Sequence, residues 1–407
     1  MTFPAVSDAI QTVVLSGIGG YGGHYLRLLR PLAEAGRARL IGAIDPAAER
    51  AADYPGLQAA GVPVWPDFDA FLAAGVKPAL LVVAAPIQFH AGQSCAALAA
   101  GIGVLCEKPA AATAAEAAAM AAAAAAAGRL LAVGYQMSYS TAVQAAKADL
   151  LAGRYGAPRR FRTWAAWPRT SAYYGRNRWA GRICDDAGRA VNDSPVNNAC
   201  AHYLHNMLYL LGPTPAAAAA PARVEAELYR ANPIQNFDAA ALRVTTDSGV
   251  EVLFHVAHCV DATIGPEFVL ECERGELRYA AGPGATLVGR TAGGETRDYG
   301  DPNAGPERKL TVSLEAAAAG RTDSPCGIAA AAMHTAVVDT LQRLPIHDFA
   351  PAAIARRETK PGEILTFVPG LVDDLRRCYD DGRLFSEAGL PWAGAAGSVH
   401  CPTAGGR

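Results

Sequence analysis

At 407 residues the chain is long enough for two to three domains and more than one hydrophobic core, which excludes a peptide, a toxin or a disulfide miniprotein. Its 36 Lys and Arg are balanced by 38 Asp and Glu, leaving a formal charge of −2, so no broad cationic surface exists to grip phosphate backbones or anionic lipid, and neither nucleic acid nor membrane is an expected partner. With 51% hydrophobic and 18% charged residues, much of the apolar share being alanine, the composition is that of a globular, helix-rich protein of enzyme size.

The chain opens with MTFPAVSDAIQ, which lacks a positive segment followed by a leucine-rich one; no signal peptide is expected and a cytoplasmic location follows. The first third then alternates short aliphatic runs with longer helical stretches, the pattern of a parallel sheet covered by helices. Strands are predicted at 12–17, 39–45, 79–85, 103–107 and 130–135. Crossover helices are predicted at 21–36, 47–61, 90–101 and 113–127. The most apolar stretch, 109–131, is alanine interrupted by Thr113, Glu116, Gly128 and Arg129, which makes a helix ended by Gly128 rather than a membrane span.

From about residue 159 the texture changes to longer strands at 159–167, 223–230, 239–260 and 267–280, with turns at Asp247-Ser248-Gly249 and Glu273-Arg274-Gly275, which predicts a mostly antiparallel sheet. A helix is expected over 195–211, with Ser194 as N-cap, Pro195 in its first turn and Gly212-Pro213 ending it. A last helix at 370–380 precedes a tail, 393–407, expected to be disordered. The nine cysteines are scattered singly without a Cys-x-x-Cys pair, so neither a disulfide framework nor a metal site is predicted.

The first chemical signal is Gly17-Ile18-Gly19-Gly20-Tyr21-Gly22, directly after a strand and opening a helix. Gly17 suits a tight turn, Gly19 lets the backbone approach a pyrophosphate, Gly22 allows close packing, and the helix N-terminus offers N–H groups to the anion. Asp45 ends the second strand 23 residues past Gly22, the spacing at which a carboxylate accepts bonds from ribose hydroxyls. Pro46-Ala47-Ala48 follows it, with no adjacent Arg or Ser for a 2′-phosphate, so NAD is favoured over NADP.

The second signal is Glu107-Lys108-Pro109 at the C-terminal end of a predicted strand, the edge where open α/β sheets bind ligands. With it, the order of motifs resembles the glucose-fructose oxidoreductase/inositol dehydrogenase (Gfo/Idh/MocA) family over roughly residues 11–385: the glycine fingerprint, Asp45, Pro86 with His90, Glu107-Lys108-Pro109, and a later helix carrying His202. The resemblance implies a Rossmann domain over 1–136, with Gly17, Gly19, Gly20, Tyr21, Gly22, Asp45, Pro86, His90, Glu107 and Lys108 holding the cofactor. It also implies a second α/β domain with a large open, mostly antiparallel sheet over 137–392 that binds substrate and associates into a homodimer or homotetramer. Lys108 would lie beside the reacting carbon, with its bond to Pro109 a candidate for the cis form.

The third signal is Asn198-Ala199-Cys200-Ala201-His202-Tyr203-Leu204-His205. Residues 198 and 202 fall four apart on the predicted helix and share a face, with His205 adjacent. The family pattern is Asp-x-x-x-His, and this chain has Asn198 where the acid is expected. An amide can orient an imidazole but carries no charge to stabilise an imidazolium, so Asp193 is an alternative acid and Asn198→Asp is expected to keep or raise activity.

The stretch Trp164 to Trp179 holds three of the five tryptophans along with Tyr173, Tyr174, Arg176 and Asn177. Aromatic faces stack on sugar rings while Arg and Asn bond hydroxyls, so Tyr174, Arg176, Asn177 and Trp179, with His205, are the expected substrate wall; a subunit interface is the competing reading. His255 and His258, three apart on a strand, are expected on opposite faces. Together these features imply an NAD-dependent oxidoreductase moving a hydride between nicotinamide and a secondary alcohol of a sugar, inositol or related polyol. His202 would act as base, the Lys108 ammonium would stabilise the alkoxide, and Asn198 would orient His202 or bond the substrate. An NAD-retaining glycoside hydrolase and a non-enzymatic dinucleotide-binding regulator are the alternatives.

Overall fold

A computed structural model describes residues 10–401; the expectation of no signal peptide at the first nine residues, and of disorder in the last six, lies outside them. The chain divides into two compact units, residues 1–139 with 305–332, and residues 140–304 with 333–407.

In the first unit β1 (Gln11–Ser16), α1 (Gly22–Glu34), β2 (Ala38–Ile44), α2 (Tyr54–Ala59), β3 (Val64–Trp65), α3 (Phe68–Ala73), β4 (Leu80–Val83), α4 (His90–Ala99), β5 (Gly103–Cys106), α5 (Ala114–Ala127) and β6 (Leu131–Val133) follow in order. The strands form a six-stranded parallel sheet in the order β3-β2-β1-β4-β5-β6, a doubly wound Rossmann sheet. Val13, Leu15, Leu80, Val82 and Leu105 are fully buried in its core, as strands covered on both faces require. The alanine run forms helix α5 because its ends are specified: Thr113 and Glu116 make a reciprocal capping box, contributing about 1 kcal/mol, and Gly128 closes it in the left-handed region. All five predicted strands are present. The two-residue β3 was too short to read from its pattern.

The second unit begins with α6 (Thr141–Leu151), β7 (Pro158–Ala166), α7 (Ser171–Gly175) and α8 (Ala201–Leu210). The strands β8 (Pro221–Arg230), β9 (Ala239–Thr246), β10 (Glu251–Ala257), β11 (Ile264–Cys272), β12 (Gly275–Ala280), β13 (Val288–Thr291) and β14 (Thr296–Asp298) follow. Helix α9 (Arg308–Ala318) returns the chain to the first unit. Helix α10 (Ile328–Leu341), β15 (Ile346–Asp348), the hairpin β16 (Ala355–Lys360) and β17 (Glu363–Phe367), α11 (Leu371–Asp381) and β18 (Gly397–His400) complete it. Ten strands form one sheet in the order β14-β13-β12-β11-β7-β10-β9-β8-β15, with β18 also paired to β8; only the β7/β10 and β8/β15 pairs are parallel. Trp164, Tyr229, Leu253 and Val269 from this sheet pack with Leu371, Leu375 and Phe385 in one apolar cluster.

Three expectations change. A single cut at residue 136 does not describe the units, because residues 305–332 pack on the Rossmann sheet: Leu310 and Leu314 of α9 enter the core of β1, β4 and β5, and the Cys326 carbonyl accepts the Val133 amide at 2.8 Å beside β6. The tail is not structureless up to Cys401, since β18 pairs with β8 from Gly397 to His400. The helix expected from Pro195 starts regularly only at Ala201. The Cys200 amide reaches back five residues to the Pro195 carbonyl at 2.9 Å, so 195–200 forms wide turns, and Asn198 stands before the helix rather than on a shared face with His202.

Among the described residues no helix is long and apolar enough to cross a membrane, no cluster of His, Cys, Asp and Glu could hold a metal ion, and no disulfide forms.

Candidate functional site

The signals of the first unit converge on the C-terminal edge of the parallel sheet, where Gly17 leaves β1, Asp45 leaves β2, Ala84 leaves β4, Glu107 leaves β5 and Gly134 leaves β6. Gly17 sits at φ +82°, and a Cβ there would meet the Ala84 and Ala85 backbone at 2.9 Å. A Cβ on Gly22 would lie 2.0 Å from the Gly17 carbonyl oxygen, whereas one on Gly19 would meet nothing within 4 Å. The loop is therefore closed on its sheet side and open outward, and the Gly20 and Tyr21 amides have no acceptor among the described residues. The Asp45 Oδ2 accepts the Ile18 amide at 3.0 Å and the Gly19 amide at 3.3 Å, and its Oδ1 accepts the Ala47 amide at 2.8 Å. Outward amides, open space at Gly19 and an acid at the β2 terminus fit a dinucleotide's pyrophosphate and ribose.

Glu107 is buried, with Oε1 accepting the Tyr25 hydroxyl at 2.6 Å and the Lys309 ammonium, while Oε2 accepts the Lys108 backbone amide at 3.0 Å. The room for this carboxylate exists because position 134 is glycine: a Cβ there would meet Glu107 Oε1 at 2.6 Å. Lys309, wholly buried on α9, also donates to the Tyr21 hydroxyl at 3.0 Å. Burial alone would raise the Glu107 carboxyl, but the charge and hydrogen bond of Lys309, with the Tyr25 hydroxyl, hold it below its ordinary value. Burial likewise opposes the Lys309 charge, and Glu107 outweighs it and raises the ammonium. One buried ion pair thus ties the glycine loop, through Tyr21, to the backbone of Lys108. The Lys108–Pro109 peptide is cis.

Pro86 precedes a short 3₁₀ turn at Ile87–Phe89. His90 places Nδ1 2.8 Å from the Pro109 carbonyl and Nε2 2.8 Å from the Ala85 carbonyl, and burial lowers its pKa despite both contacts. Its ring is a clamp between the β4 and β5 loops, so the expected direct role toward a cofactor becomes one of holding those loops.

In the second unit Asn198 donates from Nδ2 to Asp193 Oδ1 at 2.8 Å, and Asp193 Oδ2 accepts the Gly181 amide at 2.6 Å. The acid absent at 198 thus stands five residues earlier, buried and bonded to the amide that replaced it. His202 is partly exposed. His205 is not on the substrate wall: α8 is buried on nearly every face, His205 is fully buried with its ring stacked 5.8 Å from Tyr209, and burial, with His334 and Lys147 nearby, pushes its pKa well down. Asn177 Oδ1 accepts the Trp179 and Ala180 amides at 3.0 and 2.8 Å, so it is engaged in shaping its own turn. Tyr174 is half-buried, and the Arg176 guanidinium carbon lies 5.4 Å from the Trp179 ring centroid. His255 is on β10, but that strand ends at Ala257, so His258 lies just beyond it.

Residues 12–135 match the profile of the oxidoreductase family Gfo/Idh/MocA, described as having an NAD-binding Rossmann fold. The match lies within the Rossmann domain. No curated protein sequence matches the chain. Solved structures similar to it include the WlbA dehydrogenase from Bordetella pertussis with NADH and UDP-GlcNAcA (20% identity, 82% of this chain and 96% of that one, TM-score 0.65). Levoglucosan dehydrogenase with NADH and levoglucosan (18%, 82% and 96%, 0.67) and the aldose-aldose oxidoreductase from Caulobacter crescentus with glycerol (19%, 82% and 97%, 0.65) are also similar. At these identities the likeness is one of fold.

Beside the sequence motifs, the structure adds Lys309, 202 residues beyond Glu107 in sequence. Its signal was a cation on the apolar face of α9, flanked by the buried Leu310, Ser313 and Leu314. A charge in such a stripe calls for a buried partner.

Proposed function

We propose that this chain is an NAD-dependent oxidoreductase that transfers a hydride between the nicotinamide and a CH–OH group of a sugar or related polyol. The observation that carries this reading is the joining of the glycine loop and the Lys108 backbone at one edge of the parallel sheet by the buried Tyr21, Tyr25, Glu107 and Lys309 cluster. Bound NAD supplies the hydride acceptor. The Gly20 and Tyr21 amides would hold its pyrophosphate and Asp45 its ribose hydroxyls. That carboxylate would repel a 2′-phosphate, which favours NAD over NADP.

The Lys108 ammonium stabilises the negative charge that grows on the substrate oxygen, and His202 removes the hydroxyl proton. Asp193, rather than residue 198, supplies the negative charge on this segment, with Asn198 holding its carboxylate in place. The similar structures bound to NADH with a nucleotide sugar or an anhydrosugar support a carbohydrate as substrate. The test is titration of NAD and NADP by protein fluorescence, followed by a screen of sugars, inositols and aryl glycosides for NADH formation. Preference for NADP overturns the cofactor assignment. Aglycone release without net NADH identifies the glycosidase reading instead.

A further inference from the structure

The second unit holds a pair of cations whose surroundings differ from those of their neighbours. Along the segment from Arg169 to Arg189, Arg178 and Arg182 share Asp186 at 3.8 and 2.6 Å, and Arg189 takes Asp185 at 2.7 Å. Arg169 and Arg176, which flank α7, make no ion pair among the described residues. Both instead lie over the ring of Tyr173, with guanidinium carbons 4.8 and 3.6 Å from its centroid. Arg176 is exposed and anchored by one bond from Nη1 to the Tyr173 carbonyl at 2.6 Å. Arg169 gives Nη1 to the Pro168 carbonyl at 3.1 Å and also bonds the Tyr173 side chain, and its Nε is buried with no acceptor among the described residues. The acid whose field reaches Tyr173 is Asp193, and its two oxygens accept Gly181 and Asn198. Two cations thus rest against one aromatic ring, with no carboxylate in ion-pairing distance of either among the described residues.

A third group points to a ligand at the same place. His258, 2% exposed, lies 5.9 Å from the Tyr173 ring, and its backbone carbonyl accepts the Arg169 amide at 3.1 Å. Its Nδ1 stands 2.9 Å from the Trp167 carbonyl, which can only accept, so the proton sits on Nδ1 and Nε2 presents a lone pair. That Nε2 is buried and has no hydrogen-bond partner among the described residues. Burial first, and then the Arg169 charge, push the His258 pKa down to about 3, so it stays an acceptor at neutral pH. Arginine forks supply donors suited to a carboxylate, and the imidazole supplies an acceptor for a hydroxyl.

We propose that Arg169, Arg176 and His258 form a subsite for a hydroxylated carboxylate, the two guanidiniums taking the carboxylate and His258 Nε2 accepting a hydroxyl. Resting on the oxidoreductase reading, this names the substrate class as a sugar acid rather than a neutral sugar. The arrangement explains why these two arginines lack the acidic partners that Arg178, Arg182 and Arg189 have: the ligand brings the charge. An unliganded guanidinium in a partly dry site is at a disadvantage that a bound carboxylate removes.

The experiment measures binding of glucuronate and galacturonate, each against its neutral counterpart glucose or galactose, by saturation-transfer NMR and calorimetry, with and without NAD, and then kcat/KM with NAD. The acidic member of a pair should bind at least about tenfold more tightly, with loss of a charged hydrogen bond in Arg176→Gln or Arg169→Gln costing roughly tenfold to a hundredfold. Arg176→Lys keeps the charge without the fork and should fall between. His258→Phe should weaken the acidic sugar while leaving free acetate, which has no hydroxyl, unaffected. Circular dichroism melting shows whether each variant is folded, and Arg176→Gln, at an exposed position, serves if the Arg169 or His258 variants do not fold. Equal binding of acidic and neutral sugars, absence of binding by both acids, or an acid preference that survives Arg176→Gln overturns the subsite. Binding of the acid without NAD binding or hydride transfer would keep the subsite and reject the oxidoreductase reading, so the two failures are distinguishable.

Discussion

Two charged clusters, one in each unit, solve the same problem in opposite ways. In the first, the buried Glu107 carboxylate and Lys309 ammonium answer each other, and Tyr21 and Tyr25 take up further bonding positions. In the second, Arg169 and Arg176 rest on Tyr173 and make no ion pair among the described residues. A buried pair with its partners in place is fixed machinery: it costs desolvation but defines one geometry for the backbone it holds. A cation pair left on an aromatic surface keeps its attraction for something outside the chain. The difference teaches that internal charge balance separates residues that hold a site from residues that read a ligand.

The largest effect should come from unbalancing the first cluster. Lys309→Met leaves Glu107 buried without its counter-charge and should cost roughly 3–5 kcal/mol of stability, measured by denaturant or thermal unfolding. The double variant Glu107→Gln/Lys309→Met should recover part of that loss. The pH signs follow from the directions of the shifts. Glu107 is held below its ordinary value, so its contribution is present above the ordinary carboxylate range and is lost as pH falls through the folded value. Lys309 is raised, so its contribution is present below its ordinary value and is lost as pH rises through the folded one. The double variant should therefore show a flatter dependence of Tm on pH at both ends than the natural chain.

Changing the residue that the cluster aims comes next. Lys108→Ala should lower kcat by roughly 10² to 10³, the scale of one lost electrostatic donor, while NAD binding persists. Single-turnover NADH formation and a parallel NAD titration check it. Near-normal turnover would remove Lys108 from the chemistry and leave the Glu107 cluster a purely structural device.

A smaller effect is expected at Asp45. Its carboxylate holds the Ile18 and Gly19 amides and is the expected partner of the ribose hydroxyls, so Asp45→Ala should raise the Kd for NAD by about tenfold, as for loss of a charge-assisted bond. Asp45→Asn, which keeps an acceptor, should lose less. Fluorescence titration of both variants separates charge from loop support.

The Rossmann half was legible because its signals are local: five aliphatic runs, the glycines at their ends, and Thr113, Glu116 and Gly128 bounding a run of alanines. Lys309 was not, since nothing near it in sequence shows that α9 returns to lie under Glu107. His205 was misread for a related reason, because spacing gives angular position on a helix but not which faces are covered, and α8 is covered almost all round. Asn177 looked like a hydroxyl-binding amide, yet its side chain serves its own turn, a common competing use of asparagine. The sequence also could not tell Arg169 from Arg178, which differ in whether the fold sets an acid beside them.

The finest test of the comparison lies at Asn198, where the second unit sets a neutral amide against a buried carboxylate. From the motif alone, restoring the acid should strengthen the base at His202. The geometry reverses that expectation, because Asn198 Nδ2 donates to Asp193 Oδ1 at 2.8 Å and an aspartate would set oxygen against oxygen at that distance. Two carboxylates so close do not both stay ionised; they take up a shared proton or move apart, and Asp193 is held by the Gly181 amide. Asn198→Asp should therefore reduce kcat/KM at neutral pH by a few-fold, with the deficit shrinking as pH falls and the pair takes up its proton. Asn198→Ala should lose a similar amount without that pH dependence, since it removes the bond to Asp193 but adds no charge. Profiles of kcat/KM against pH for the three proteins check both signs: a gain for Asn198→Asp across the neutral range would mean that residue 198 rather than Asp193 is where this chain needs its acid.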